Sequence, residues 1–260
     1  MKPGLIPALD HAGYIVRLMF HALGCAIRKP RWGMTVGIMY EYGLKSLPVV
    51  AIVALFSGMI ISLQTGIQLV RFGQEEFIGI VVAQSFAREF GPFMTCIILV
   101  GTVVSAYTAE LGTMTVSEET AALEVMSIDP VGYLAAPRIL ALTLMAFLLT
   151  ICADAIGLLG GGLVAATQLD VPIGRYFDNA LDSLAGREWL GLPKDLYGGL
   201  LKAMITGGVI GSVGCAEGLT AQGGALGVGR SVRRAVILSI VLILVMSFIL
   251  TWLFYRAFGQ

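Results

Sequence analysis

The sequence Arg-Glu-Phe-Gly-Pro occupies residues 88–92 and stands inside an otherwise apolar stretch. The apolar run 93–107 follows it directly, and an acidic segment over 110–129 comes before the next apolar run, which opens after Pro137. Charged groups inside a membrane span are costly and usually face a protein interior, a cavity or an interface. The pattern therefore predicts a membrane helix that carries two charges, followed by an acidic helix outside the bilayer. One end would suit a substrate with a polar head, and the other would suit a soluble partner.

The composition of the whole chain is typical of a membrane protein. Of the 260 residues, 57% are hydrophobic and only 13% are charged, and the mean hydropathy is +0.86. A soluble domain carries about 25% charged residues. The 17 basic and 17 acidic residues give a net charge of zero, so nothing suggests a nucleic-acid partner. The four cysteines are scattered singly without a Cys-x-x-Cys spacing, so neither a metal site nor a disulfide framework is predicted.

Five apolar stretches are long enough to cross a bilayer, which takes about 20 helical residues. They lie at roughly 47–70, 77–108, 134–167, 196–216 and 235–256. The second and third are longer than the bilayer requires, so each must tilt, break or protrude. The Gly-Pro step at 91–92 predicts a break in the second, because proline lacks an amide donor and clashes with the preceding turn. We expect an all-α integral membrane protein whose residues 1–260 form a single domain, with the transmembrane bundle over 46–260.

The region before the first span, residues 1–45, predicts an amphipathic helix in the membrane interface. Apolar residues recur at helical spacing over 9–27, and Pro30 with its basic neighbours ends the pattern. A sixth, imperfect span is the alternative. Basic residues concentrate before the first and last spans, which predicts a cytoplasmic N-terminus and an outward-facing C-terminus. On that topology 108–134 is cytoplasmic and 169–195 lies outside.

Arg88 and Glu89 are the first candidates for contact with a substrate. Neighbouring residues on a helix point about 100° apart, so the two charges cannot simply neutralise each other. Each is expected to face a different partner or a polar ligand, as a polar clamp beside a lipid-lined cavity. The alternative is structural, with both side chains anchoring the helix at the outer headgroup boundary.

The acidic segment has the pattern of a short docking helix. Thr115 and Glu118 have the spacing of a capping box, in which the two side chains satisfy exposed backbone amides. Glu118 and Glu119 also sit favourably in the first helical turn. Apolar residues over 121–126 form one face, and Asp129-Pro130 ends the helix. Such a helix suits docking into a groove on a soluble protein; the alternative is a loop helix resting on the membrane.

The sequence lacks patterns for covalent chemistry. It has neither HExxH nor GxSxG, and the glycine cluster at 223–229 lacks the Gly-Lys-Ser/Thr of a phosphate loop. Glycines spaced along one face of the fourth span, from Gly207 to Gly218, instead predict close helix packing. Asp154 is the only acid deep in the third span, where a proton relay and packing against a polar group of another helix are the two interpretations.

Several motifs carry a resemblance to a known family. They are Arg-Glu-Phe-Gly-Pro at 88–92, Ala-Glu-Leu-Gly-Thr-Met at 109–114, Ala-Leu-Glu-Val-Met at 122–126 and Gly-Val-Gly-Arg at 227–230. These residues resemble the MlaE (YrbE) family, the permease subunits of MCE-type lipid ABC transporters, and the resemblance covers about residues 45–255. Two positions depart from the family: Thr102 stands where Arg is common, and Ser247 stands where Asp is frequent.

The resemblance implies a homodimeric permease in the bacterial inner membrane with no nucleotide site, cofactor or metal of its own. It would work with a separate ATPase that binds ATP and Mg²⁺, a periplasmic MCE-domain protein and often a small STAS-domain protein. Such complexes move phospholipids between the inner membrane and the periplasmic carrier, which supports outer-membrane lipid asymmetry. The alternative function is an ATP-independent lipid scramblase or channel; an intramembrane enzyme lacks any catalytic constellation.

The resemblance also implies roles for particular residues. The 115–129 segment would be the coupling helix seated in the ATPase, with coupling residues Glu110, Thr115, Glu118, Glu119, Leu123, Glu124 and Met126. Arg88 and Glu89 would line an outward-open lipid cavity at the dimer interface. Acyl chains would contact residues of the first span and its outer end, namely Ile61, Leu69 and Phe72.

Overall fold

The computed structural model describes the backbone of residues 5–28, 31–185, 188–189 and 192–257, and nearly all of this chain is helical. The helices in order are α1 (Leu5–Arg28), α2 (Trp32–Ile38), α3 (Leu44–Arg71), α4 (Ile78–Ser85), α5 (Gly91–Leu99), α6 (Ser105–Val116), α7 (Glu119–Val125), α8 (Ala136–Gln168), α9 (Ile173–Ala185), α10 (Lys194–Leu219) and α11 (Gly224–Ala257). The exception to the all-α prediction is one short antiparallel ribbon, in which β1 (Glu188–Trp189) pairs with β2 (Leu192–Pro193).

The five predicted spans are confirmed among the described residues. Continuous helices long and apolar enough to cross a membrane run over Trp32–Arg71, Glu75–Val116, Val131–Gln168, Asp195–Leu219 and Gly224–Phe254. The first begins well before residue 47, because α2 and the π-turn Met39–Gly43 lead into α3 without interruption. Part of the region expected to lie in the interface is therefore continuous with the first span.

The N-terminal helix predicted over 9–27 is α1. It is long enough to cross a membrane but is not among the five helices that are also apolar enough, which favours the interfacial interpretation over a sixth span. Pro30, expected to end this helix, lies outside the described residues.

The predicted break at Gly91-Pro92 is wrong. The second span continues through the π-turn Phe86–Phe90 into α5, and the Gly91 N–H donates to the carbonyl of Phe86. A π-turn adds one residue to a helical turn, which lets a proline follow without ending the helix. A second π-turn, Val100–Val104, links α5 to α6 in the same span.

The predicted capping box at Thr115 and Glu118 is also wrong. Thr115 lies inside α6, and its hydroxyl donates to the carbonyl of Leu111 at 2.7 Å instead of capping a new helix. Glu118 precedes α7 in the left-handed conformation with φ 63°, and its side chain makes no capping hydrogen bond. The chain turns sharply between α6 and α7, so the acidic segment is the end of one helix plus a separate short one.

The chain forms two compact units, each assembled from three stretches of sequence. The first unit comprises residues 1–44, 99–145 and 205–246; the second comprises 45–98, 146–204 and 247–260. The prediction of one membrane domain over residues 1–260 is not tested by this division and stays a prediction.

The core of the first unit joins the N-terminal helix to three of the membrane helices. Leu18 and Ala22 of α1 pack with Leu111, Leu134 and Cys215. The glycines of the fourth span make close approaches in this unit, as predicted: a Cβ added at Gly218 would lie 2.7 Å from the Cβ of Leu111. Small residues at such positions let helix backbones approach closely in lipid.

The core of the second unit forms around the start of the second span. Ile78, Val82 and Phe86 are fully buried and pack with Tyr176 of α9. Burial raises the pKa of the Tyr176 phenol further above its ordinary value. The backbone of α3 meets that of α8 where a Cβ at Gly58 would lie only 1.9 Å from the carbonyl oxygen of Gly157.

Candidate substrate and coupling sites

Two backbone carbonyls of the π-turn before Pro92 face another helix. Proline has no N–H, so one carbonyl of the preceding turn loses its backbone donor. The ammonium of Lys202 donates to the Arg88 carbonyl at 3.0 Å. The Ala87 carbonyl faces Gly199, where an added Cβ would lie 1.7 Å away. The backbone carbonyls of Ala87 and Arg88 therefore both face α10.

Glu89 lies at the centre of a polar cluster in the second unit. Its Oε1 accepts from Lys202 Nζ at 2.6 Å and from the Thr251 hydroxyl at 2.6 Å. Its Oε2 lies 3.4 Å from the Ser247 hydroxyl. Lys202 also donates to Thr251 at 2.9 Å, so all three of its N–H donors are satisfied. The Lys202 side chain is only 8% exposed, whereas that of Glu89 is 40% exposed.

Arg88 points to a different partner. Its guanidinium forms an ion pair with Asp195: Nη2 donates to Oδ2 at 2.9 Å, and Nε lies 2.8 Å from Oδ1 without the geometry of a hydrogen bond. Hydrogen bonds between an arginine and a carboxylate are stronger than those between neutral groups. The two neighbouring charges therefore face separate partners, as their angular separation on the helix predicts.

One face of α10 contacts the whole π-turn. Asp195, Gly199 and Lys202 lie at positions i, i+4 and i+7, which place them on one side of a helix. They meet the Arg88 side chain, the Ala87 carbonyl and the Glu89 carboxylate respectively. Sequence reasoning missed Asp195 and Lys202. The signal was available, since Lys202 is a cation inside an apolar span and the rule that singled out Glu89 applies equally to it.

The three predicted acyl-chain contacts have different surroundings. Ile61 and Leu69 of α3 are half-buried and pack against the core of the second unit. Phe72, just past the end of α3, is 79% exposed. Phe72 is therefore the most accessible of the three to a hydrocarbon chain, and the acyl-chain role of all three stays a prediction.

Glu110 belongs to a network inside the first unit. It accepts a hydrogen bond from the Tyr42 hydroxyl and another from Arg138 Nη2 at 3.1 Å. Arg138 also donates to the Leu134 carbonyl at 3.0 Å and lies 6.0 Å from the centre of the Tyr107 ring. These contacts tie α6 to the start of the third span. Glu110 thus has a structural function whether or not it also contacts a partner.

The carboxylates of α7 and its N-terminal turn lie on the surface. Glu118, Glu119 and Glu124 are exposed, and Glu119 accepts a hydrogen bond from Ser117 at 3.0 Å. Thr115, which was also predicted to couple, is half-buried and bonds within its own helix. The acidic groups are thus available to a partner, whereas Thr115 supports the turn that presents them.

The apolar residues of α7 divide between core and surface. Leu123 packs against the core of the first unit and holds the helix in place. Val125 is 87% exposed and Met126 is 69% exposed, just before the chain turns towards the third span. A short helix with two exposed apolar side chains among carboxylates is an unpartnered surface of the kind that a groove on another protein covers.

Comparison with known proteins decides the family. The pattern of the family described as Permease MlaE matches residues 35–253. The chain belongs to the MlaE permease family. A probable ABC transporter permease protein of Rickettsia prowazekii is 35% identical over 239 residues, which cover 92% of this chain and 90% of that protein.

Two further relatives of this chain carry more specific names. The intermembrane phospholipid transport system permease protein MlaE of Haemophilus influenzae is 30% identical and covers 96% of this chain and 93% of its own length. The chloroplastic protein Trigalactosyldiacylglycerol 1 of Arabidopsis thaliana is 35% identical over 89% of this chain and 64% of its own length.

One residue of the Glu89 cluster is a position where the resemblance leads us to expect a different residue. Ser247, where aspartate is expected, supplies a hydroxyl beside the Glu89 carboxylate. Thr102, the other departure, is exposed in the π-turn Val100–Val104.

Asp154 of the third span packs against Gly91. A Cβ added at Gly91 would lie 1.8 Å from Asp154 Oδ1, and both carboxyl oxygens lack a hydrogen-bond partner among the described residues. Asp154 is only 5% exposed. The structure shows packing against the Gly91 backbone and, among the described residues, no polar partner for either carboxyl oxygen, so the proton relay and the polar contact both stay predictions.

Proposed function

We propose that this MlaE-family permease is the membrane subunit of an ABC-type transporter that moves phospholipids between the inner membrane and a periplasmic MCE-domain carrier. The family match over residues 35–253 carries the proposal. The relative named for intermembrane phospholipid transport supports the cargo, and the relatives named as ABC permeases support ATP as the energy source. Maintenance of outer-membrane lipid asymmetry follows as the physiological role.

The ATPase docks on α7 in this proposal. The exposed Val125 and Met126 would enter an apolar groove, while Glu118, Glu119 and Glu124 would meet basic groups at its rim. ATP and Mg²⁺ are bound by the ATPase and not by this chain. ATP binding closes the ATPase dimer, moves α7 and narrows a lipid cavity between two copies of the permease. An accompanying STAS-domain protein would bind the ATPase.

The lipid headgroup meets Arg88 and Glu89. Their side chains are 39% and 40% exposed, while the partners that hold them, Asp195 and Lys202, are nearly buried. The site thus presents one fixed positive and one fixed negative group next to each other. A phosphate suits the first and a headgroup ammonium suits the second. Phe72 is the exposed apolar side chain offered to an acyl chain.

Affinity purification of the chain from its native membrane in mild detergent tests the proposal. Mass spectrometry should find an ATPase, an MCE-domain protein and phospholipid, and the chain should be present in two copies. Val125→Asp with Met126→Asp should remove the ATPase and leave the lipid, since neither side chain supports the core. Recovery of the folded chain alone would favour an ATP-independent scramblase or channel and would overturn the transporter proposal.

The proposed orientation places the N-terminus in the cytoplasm and the C-terminus in the periplasm of a multi-pass inner-membrane protein. Fusions at the C-terminus provide the test. Alkaline phosphatase fused there should be active and green fluorescent protein dark; the reverse pattern would invert the topology and move α7 to the wrong side for an ATPase.

A further inference from the structure

We propose that His21, Cys25 and Asp129 form a binding site for a divalent transition-metal ion, with zinc the best fit. The three residues each offer one ligand atom, and these atoms all lie within 4.8 Å of one another. His21 Nε2 lies 3.4 Å from Asp129 Oδ2. The three residues belong to the first unit, where they join α1 to the segment between α7 and the third span.

The separations are close to those that zinc coordination requires. Zinc binds nitrogen, oxygen and sulfur ligands at about 2.0–2.3 Å in tetrahedral geometry, which places neighbouring ligand atoms roughly 3.3–3.7 Å apart. The distance between His21 and Asp129 falls within that interval. The Cys25 sulfur lies within 4.8 Å of the other two ligand atoms and would supply the third ligand, with water as the fourth.

The backbone positions all three ligand side chains of this site. His21 and Cys25 are four residues apart on α1, so their side chains project from the same helix face. Two backbone amides fix the Asp129 carboxylate: the Val131 N–H donates to Oδ1 at 3.1 Å and the Gly132 N–H to Oδ2 at 2.9 Å. Such hydrogen bonds to a ligating carboxylate orient it towards the ion.

Gly132 keeps the approach between the thiol and the carboxylate open. A Cβ at this position would lie 2.9 Å from Asp129 Oδ2 and 3.2 Å from Cys25 Sγ. Both ligand atoms therefore border the space that a side chain at position 132 would fill. Any larger residue would occupy that space. The convergence of two ligand atoms on a position without a side chain is independent of the contact between His21 and Asp129.

The donor set selects the class of ion. An imidazole, a thiolate and a carboxylate suit zinc and its borderline neighbours, whereas Mg²⁺ and Ca²⁺ prefer oxygen ligands alone. His21 and Asp129 are about half exposed, which gives an ion from solution direct access. A bound ion would fasten α1 to the segment that follows α7 and so restrict movement of the docking helix.

Cobalt provides a spectroscopic probe of the full-length protein in detergent. One equivalent of Co²⁺ should bind with a thiolate-to-cobalt charge-transfer band, and Zn²⁺ should displace it. Cys25→Ser should abolish the band, and His21→Gln should weaken binding by about tenfold or more. Cys152→Ser is the matched control, because Cys152 is also a free, half-buried cysteine but lies in the second unit. Unchanged cobalt binding in Cys25→Ser, or none in the unsubstituted protein, would overturn the proposal.

A second measurement needs no substitution at the site and so does not depend on folding of the variants. Micromolar Zn²⁺ should slow alkylation of Cys25 by N-ethylmaleimide, as followed by peptide mass spectrometry, and leave alkylation of Cys152 unchanged. Equal alkylation of Cys25 with and without Zn²⁺ would show that the thiol is not a ligand.

Discussion

The Lys202 ammonium bonds both the Glu89 carboxylate, at 2.6 Å, and the backbone carbonyl of Arg88, at 3.0 Å. The second contact compensates for Pro92, whose missing N–H leaves a carbonyl of the preceding turn without a donor. A single side chain on α10 therefore stabilises an irregular helical turn and neutralises the charge next to it. This arrangement explains how a proline and the Glu89 charge are accommodated within one membrane span, while Asp195 pairs with the charge of Arg88.

Substitution of Lys202 should destabilise the protein more than substitution of an exposed cation. Lys202→Met leaves both Glu89 and the Arg88 carbonyl without this donor. Loss of one partner from a buried ion pair costs about 3–5 kcal/mol, and we expect about 1–3 kcal/mol here because Glu89 is partly exposed. Thermal unfolding in detergent measures the effect. Arg71→Met, at the exposed end of α3, is the control, and equal melting temperatures for the two variants would contradict the assignment.

The charge of Glu89 should matter for transport more than for folding. Glu89→Gln keeps an acceptor for Lys202 but removes the negative charge, so we expect reduced phospholipid transfer in reconstituted vesicles with little change in melting temperature. Co-purification of the ATPase should be unaffected. Normal transfer by this variant would show that the carboxylate serves the structure alone.

Gly91 and Asp154 should be energetically coupled. In Gly91→Ala the new Cβ would overlap Asp154 Oδ1, and overpacking of this kind costs about 1–3 kcal/mol. Asp154→Ala removes the obstructing carboxyl and leaves the Phe86 carbonyl, at 3.2 Å, as the nearest remaining neighbour. The double variant should therefore be more stable than the sum of the two single effects predicts. Melting temperatures of the four proteins test this, and strict additivity would refute the contact.

Charge reversal on the acidic side of α7 should release the ATPase. Glu118→Lys with Glu119→Lys changes two exposed carboxylates, so the fold should persist while co-purification of the ATPase is lost. Glu75→Lys, an exposed carboxylate of the second unit, is the matched control. Normal recovery of the ATPase with the double variant would exclude α7 as the docking helix.

Glycine at position 118 separates charge from conformation. Glu118 has φ 63°, a left-handed conformation that glycine adopts without strain. Glu118→Gly should therefore preserve or strengthen the turn before α7. If less ATPase is recovered with this variant, the negative charge of Glu118 itself is needed for binding. If recovery is full, the loss of ATPase on charge reversal comes from repulsion between the new lysines and the ATPase.

Substitution of Glu110 should lower the stability of the protein more than it lowers binding of the ATPase. Glu110→Ala leaves the buried guanidinium of Arg138 without its carboxylate, which we expect to cost about 1–3 kcal/mol. The additional change Arg138→Met should recover part of this loss, because it removes the unpaired charge. Thermal unfolding and ATPase co-purification are measured together. Loss of the ATPase without any loss of stability would show instead that Glu110 contacts the partner directly.

Local pattern was sufficient for much of the architecture. The five spans follow from the length of their apolar runs, and α1 follows from its helical spacing of apolar residues. The angular separation of Arg88 and Glu89 correctly implied different partners. Each of these properties depends on residues that are near one another in the sequence and on the bilayer's demand for apolar length.

The errors arose where a local rule met a tertiary constraint. Pro92 predicted a break, but a π-turn and the donor from Lys202 accommodate it. Thr115 and Glu118 predicted a capping box, but α6 continues past Thr115 and Glu118 takes up a left-handed turn conformation before α7. In both cases contacts with other parts of the protein stabilise a backbone conformation that the local sequence alone does not predict.

The sequence by itself determined that this chain is a multi-span membrane protein of the MlaE type, because apolar length and contiguous motifs are written along the chain. Only the tertiary structure decided which charges are paired. Asp195 and Lys202 lie far from Arg88 and Glu89 in sequence, as Asp129 does from His21 and Cys25. Such pairings depend on which helix faces meet. A buried charge or carbonyl without a partner is so unfavourable in free energy that the fold brings a partner to it.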